Sequence, residues 1–252
     1  MQIEIPNEPE TTEVGRPEQA WRLEEVLMLG AGLVLSLALG MVTTQVMEHY
    51  ATHLNIAQRK FGSFVISNIF FQGAVLVLTH FFLRRHQTAW VDFLGLRKPG
   101  LGRAVLFGMV TAIVVVPGTQ WLIAISKALL GLLQEAPEIQ QTIQVLHVSI
   151  SLWQRIIFGF AAIVLAPVAE EILFRGILYA YLKQLGYQRL AVIGSSLFFA
   201  VIHGNLMALV PLAFFAVVLA LLYDKTGNLM APIATHAVFN AVNFVFYLRE
   251  GP

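Results

Sequence analysis

The sequence predicts an all-α protein, a polytopic transmembrane helical bundle of about seven spans (six to eight in range) at roughly 20 residues per span. Three observations predict it. Of 252 residues, 57% are hydrophobic and only 12% charged, against about 25% charged in a soluble domain. The apolar residues fall in runs at roughly 26–46, 62–83, 103–126, 152–182, 188–203, 206–223 and 229–248. Those runs are continuous and do not alternate polar with apolar residues, a pattern that fits helices in lipid and not the strands of a barrel.

The elements follow in order. Residues 1–22 hold Glu4, Glu8, Glu10, Glu13 and Glu18 among Pro6, Pro9 and Pro17. Such a composition cannot bury a core, so it predicts a flexible acidic N-terminal tail. It lacks the basic start and apolar stretch of a signal peptide. Residues 23–252 then form one transmembrane helical domain. The second and third runs are joined by a loop bearing Arg84, Arg85, Arg97, Lys98 and Arg103 against Asp92. Basic residues in short loops stay in the cytoplasm. Lys183 and Arg189, between the fourth and fifth runs, agree with that side, and the Glu135–Glu138 stretch falls outside. The amphipathic segment Gln134–His147 reads as an interfacial helix or part of a further span. The net charge is +1 and cysteine is absent. The first gives nucleic acid nothing to bind. The second excludes disulfides, thiolate metal sites and cysteine nucleophiles.

Ionisable groups inside a span each cost about 3 kcal/mol or more at the bilayer centre and usually face a cavity. The fourth run reads LAPVAEEILFRGILYAYL, with Glu170, Glu171 and Arg175 in nearly unbroken apolar sequence. The fifth contains His203 in FFAVIHGN, and the seventh contains His236, Asn240 and Asn243 in APIATHAVFNAVNF. Neighbouring helical residues point about 100° apart, so Glu170 and Glu171 cannot share one role. Glu171 and Arg175 are i,i+4 neighbours and can pair, which leaves Glu170 without a basic neighbour on its own face. His236 and Asn240 share that spacing, as do Phe199 and His203, where the ring can back the imidazole. Counted from the cytoplasmic helix ends at about 1.5 Å per residue, Glu170 lies ~18 Å in, His203 ~22 Å, His236 ~10 Å and Asn240 ~17 Å. Pro167 and Pro232 precede Glu170 and His236. Each removes a backbone donor and frees a carbonyl one turn earlier. Gly204, directly after His203, reads as a helix stop.

Each feature taken singly has a plainer reading. Glu171–Arg175 can be a structural pair, His203 a packing histidine, Phe199 packing, and His236 with Asn240 and Asn243 interhelical hydrogen-bonding glue. Glu170 resists such a reading.

Taken together, the three groups resemble the CAAX protease and bacteriocin-processing family, the CPBP intramembrane glutamic endopeptidases, to which the type II CAAX prenyl endopeptidases belong. The family's paired glutamates with an arginine four residues on appear as EEILFR at Glu170–Arg175, its phenylalanine and histidine as FAVIH at Phe199–His203, and its histidine and asparagine as HAVFN at His236–Asn240. The resemblance is carried by roughly residues 150–248. Before that it rests on hydrophobic helices and the DFLGLRKPG stretch. It implies an intramembrane endopeptidase in which Glu170 activates water, His203 helps position it, and His236 and Asn240 stabilise the oxyanion. Glu171, Arg175 and Phe199 would support that site. It implies no cofactor and no metal. The implied partners are membrane lipid and a membrane-associated protein or peptide substrate. The expected location is the plasma membrane, as a multi-pass integral protein. Two other classes stay open on the residues alone. Glu170, His203 and His236 form a possible two-histidine, one-carboxylate zinc set for a metalloprotease, although no HExxH is present. Intramembrane carboxylates and histidines also mark ion pathways, and the chain could be a transporter or an inactive scaffold.

Overall fold

The structure, a computed structural model, describes residues 21–132 and 151–250. The calls on residues 1–20 and on the Gln134–His147 segment, with Glu135 and Glu138, lie outside the described residues. Among the described residues the chain is helical and carries eight helices. They are α1 (Leu23–Tyr50), α2 (Ile56–Arg85), the short α3 (Trp90–Phe93), α4 (Leu101–Leu132), α5 (Leu152–Gln184), α6 (Gln188–Ile202), α7 (Leu206–Thr226) and α8 (Met230–Glu250). Seven of them answer to the seven apolar runs. Five are long and apolar enough to cross a membrane; α6 and α8 are apolar but shorter in their apolar stretch. The protein is an integral membrane protein.

Local sequence sets the ends. Asn55 accepts from the Gln58 backbone N–H at 2.9 Å while the Gln58 side chain accepts from the Asn55 N–H at 3.0 Å, a reciprocal cap that starts α2. Ser151 and Gln154 start α5 the same way. Asn205 caps α7 by accepting from Ala208 N–H at 2.9 Å. Gly204, at φ +61°, ends α6 as expected from its position after His203. Pro232 behaves differently from expectation. It is the third residue of α8, in a first turn whose N–H groups have no intrahelical acceptor, so it does not interrupt that helix.

Two apolar clusters hold the bundle, and α5 belongs to both. Leu29 and Leu33 of α1 and Val75, Phe82 and Leu83 of α2 pack with Ala169, Ile172 and Ile177 of α5. On its other side Phe174 packs with Val115 of α4, Phe199 of α6, Phe215, Ala216 and Leu219 of α7 and Phe239 of α8. Outward faces stay apolar: Val34, Leu35, Phe81, Ile113 and Val114 are exposed, as lipid requires. Trp21, assigned to the tail, is docked on the bundle, and Arg22 caps the start of α1. The Trp21 ring meets Phe82 at 5.1 Å, and its carbonyl accepts from Gln184 at 2.6 Å.

Lipid provides no hydrophobic drive between helices, so close backbone approach and interhelical hydrogen bonds hold them. α4 and α8 show both. Gly108 lets the α4 backbone touch α8, and its carbonyl accepts from Thr235 at 2.8 Å. Further along, Gln120 donates to Asn243 at 2.8 Å, so Asn243 joins helices as expected. A Cβ on Gly108 would stand 2.3 Å from the Ala231 carbonyl oxygen. Backbone cannot rotate away, so Gly108→Ala should separate α4 from α8 at a cost of about 1–3 kcal/mol. A lowered melting temperature in detergent is the expected result; wild-type melting would mean the two helices are not held at this contact.

One end of the bundle gathers most of the basic residues, with Arg59, Lys60, Lys127, Arg155 and Arg249 toward the other end. Arg85 pairs with Glu25 at 2.9 Å, Asn228 donates to the Gly95 carbonyl at 3.0 Å, Lys98 to the Gly227 carbonyl, and Lys183 pairs with Asp224. These contacts bring the start of α1, the end of α2, the α3 loop, the α5–α6 turn and the α7–α8 turn to one face. Arg84, Arg97, Arg103, Arg189 and Lys225 lie at helix ends or loops on that same side.

Candidate active site

The middle of α5 is not a regular α-helix. Ala161–Leu165 and Ile172–Tyr179 are π-helical, with the turn Ala166–Glu171 between them. In the first π segment the Ala166 N–H reaches back to the Ala161 carbonyl, five residues away. The same register would send the next donor to the Ala162 carbonyl. The next residue is Pro167, which has no N–H. Asn240 of α8 supplies the missing donor, its Nδ2 lying 2.7 Å from the Ala162 oxygen. An acceptor-only carbonyl demands the amide NH₂ on that side. Pro167 therefore does free a carbonyl, and Asn240 is what fills it.

Glu171 is completely buried, and Arg175 is 1% exposed at its side chain. Arg175 Nη1 donates to Glu171 Oε1 at 3.0 Å, the i,i+4 pair expected from the spacing. Its Nη2 donates to the Ala216 carbonyl of α7 at 2.9 Å, and its guanidinium lies 5.1 Å from the centre of the Phe199 ring. A second group shares the same carboxylate oxygen. His236 Nδ1 stands 2.8 Å from Glu171 Oε1. Sequence spacing carried no sign of this contact, because it joins α5 to α8. The imidazole is also packed edge-on against Phe215 at 5.1 Å and Phe199 at 6.0 Å. Glu171 Oε2 and Arg175 Nε have no protein partner among the described residues.

Glu170 points elsewhere, as helical geometry requires. Its side chain is 13% exposed, and its Oε2 lies 3.9 Å from His236 Nε2. The two carboxylates thus address opposite nitrogens of one imidazole. The straight-rod depth count set Glu170 and His236 about 8 Å apart, and the structure brings them into contact. The π turns of α5 spend more residues per turn than an α-helix, and helix ends need not lie in one plane.

His203 is the residue that ends α6 and is exposed. Its Nδ1 lies 2.6 Å from the Phe199 carbonyl oxygen, and its ring is 4.6 Å from the Phe199 ring. Phe199 itself is buried, with Arg175, His203 and His236 on its different sides. The structure therefore gathers Glu170, Glu171, Arg175, Phe199 and His236, ties Asn240 to the same stretch of α5, and joins His203 to them through the Phe199 ring. Among the described residues no group of three or more His, Asp or Glu side chains is placed to hold a metal ion. Gln72 was missed. It is buried on the π segment of α2 that packs against the Glu170 turn, and its Oε1 has no partner among the described residues. An amide inside the apolar run FFQGAV was a signal available in the sequence.

Residues 151–242, which contain all three motifs, match a family model described as type II CAAX prenyl endopeptidase Rce1-like. No curated protein and no solved structure matches the chain.

Proposed function

We propose that this chain, whose residues 151–242 match the Rce1-like type II CAAX prenyl endopeptidase family model, is an intramembrane endopeptidase in which Glu170 is the base that activates water. The observation that carries this reading is the contrast between the two adjacent carboxylates. Glu171 is fully buried and neutralised by Arg175, whereas Glu170 is partly exposed and has His236 as its one ion-pair-range neighbour among the described residues. A carboxylate left open to water beside an imidazole can take a proton from that water as it attacks a carbonyl.

The histidine of α6 has a compatible geometry. A carbonyl oxygen only accepts, so His203 Nδ1 carries the proton toward Phe199 and its Nε2 keeps a lone pair. An Nε2 acceptor can hold a water by one of its hydrogens. Asn240 spends one amide hydrogen on Ala162 and keeps a second for a developing oxyanion. The substrate class is a membrane-associated protein or peptide.

The test turns on Asn240. With no cation beside the oxyanion, its charge is met by neutral donors, and removing one costs about 10²–10³ in turnover. Asn240→Ala should lose about that much with little change in substrate affinity, since the contact develops in the transition state. Asn240→Asp should be worse, because an acceptor replaces the donor. The assay is purified protein in detergent with a fluorogenic peptide, with and without prior chelation. Full turnover in Asn240→Ala, with wild-type activity lost on chelation and regained with zinc, would sink the reading.

We further place the protein in the plasma membrane with its basic face toward the cytoplasm, following the retention of Lys and Arg in short loops. A cysteine introduced at Arg97 should resist impermeant thiol reagents in intact cells. Labelling from outside would reverse the orientation.

A further inference from the structure

We propose that His236 is the proton carrier between Glu170 and the leaving nitrogen, and that Glu171 is the positioning residue that sets it in that role. The proposal rests on the reading of Glu170 as the base and goes beyond it. It departs from the oxyanion role that the resemblance implies for His236.

Three observations carry it. Glu171 Oε1 receives Arg175 Nη1 at 3.0 Å, so it is an accepting oxygen. His236 Nδ1 lies 2.8 Å from that same oxygen, and an accepting oxygen is met there by an N–H. The proton of the neutral imidazole is therefore on Nδ1, and Nε2 holds a lone pair. That lone pair faces Glu170 Oε2 across 3.9 Å. A neutral His236 in this tautomer has no Nε2–H to give an oxyanion. It has an acceptor beside the group that has just taken a proton from water. The remaining rings around it, Phe199 from α6 and Phe215 from α7, carry no charge. Glu170 and Glu171, with Arg175 behind Glu171, are the charged groups that face it.

The steps balance. Glu170 removes a proton from water as the water oxygen bonds to the scissile carbonyl carbon, and the carbonyl electrons move to its oxygen. Glu170 passes that proton to His236 Nε2. The gap must close by about 1 Å to reach hydrogen-bond range, a tightening usual between a free site and its complex. The imidazolium so formed lies between two carboxylates. When the carbon–nitrogen bond breaks, its electron pair goes to nitrogen, which takes the Nε2 proton. The carbonyl re-forms, a carboxylic acid and an amine leave, and Glu170 and His236 are as they began. The oxyanion is left to Asn240, whose second amide hydrogen is unspent on Ala162.

The tautomer can be read directly. Protein carrying isotope-labelled histidine is examined by nitrogen NMR in detergent near neutral pH, with the His236 signals found by difference against His236→Gln. Protonated Nδ1 with unprotonated Nε2 is expected. A proton on Nε2, with or without one on Nδ1, overturns the proposal. Glu171→Gln supplies the second arm. The amide keeps its oxygen on the Arg175 and His236 donors, so the tautomer is held while the negative charge that steadies the imidazolium is lost. The expected outcome is an unchanged spectrum together with a loss of turnover of about 10²–10⁴. A folded Glu171→Gln protein with wild-type turnover overturns the proposal. Should Glu171→Gln fail to fold, the wild-type spectrum decides. Glu170→Gln separates the two levels: if it is inactive while Nε2 of the wild type is protonated, the base stands and the carrier falls.

Discussion

Replacing Glu170 by Gln should leave a folded, membrane-inserted protein with no measurable peptidase turnover. The two side chains are nearly the same size, and Glu170 takes no part in the Glu171–Arg175 pair that holds α5 to α7. Folding therefore loses little. Chemistry loses the one carboxylate that, among the described residues, stands beside His236 Nε2 and can accept a proton from water. A positioned general base is worth about 10²–10⁴ in rate, and the neighbouring Glu171 cannot substitute, because it is fully buried and already bonded to Arg175 and His236. The measurement is turnover of a fluorogenic peptide by purified variant and wild type, with melting curves for both. Substantial turnover by a well-folded Glu170→Gln protein would reject the assignment.

Arg175→Ala should act on the fold first and on activity as a consequence. The guanidinium is buried, and three things depend on it: the charge of Glu171, the carbonyl of Ala216 and the face of the Phe199 ring. Truncation leaves an uncompensated carboxylate in the middle of the bundle, and breaking a buried pair typically costs about 3–5 kcal/mol. It also opens a cavity between α5, α6 and α7, which adds to the loss. Lower abundance in the membrane and a clearly lowered melting temperature are expected. Arg175→Lys should not restore stability, because one ammonium cannot hold Glu171 and the Ala216 carbonyl with the geometry of a planar fork. An Arg175→Ala protein that melts like the wild type would show that the pair does not hold the helices together.

Seven apolar runs were enough to place seven helices, because a segment in lipid must satisfy its own backbone and only helices or closed barrels can. Within one helix, position follows from number. Glu171 with Arg175 and Phe199 with His203 were legible as i,i+4 neighbours, and both pairs meet as that spacing requires. The separation of Glu170 from Glu171 followed from the same rule. Gly204 as the end of α6 followed from its freedom at positive φ. The resemblance rested on three short motifs in order, and all three lie within residues 151–242, the stretch that matches the Rce1-like family model. Pro232 was misread, because a proline in an apolar run looks the same whether it breaks a helix or begins one.

What only the tertiary structure decided is where the helices stand against one another. The contact of Gly108 with Ala231 sets α8 against α4, and the π turns of α5 set the height at which Glu170 and Glu171 emerge. These choices put one imidazole between two carboxylates and send Asn240 to the carbonyl that Pro167 leaves empty. None of them is a property of one helix. Spacing along a chain fixes which face a residue occupies, but the offset between two helices depends on backbone contacts and hydrogen bonds that form only when both are present. The sequence by itself determined which groups this protein carries into the membrane and on which helix faces. The packing of α8 against α5 determined which of those groups address the same nitrogen atoms.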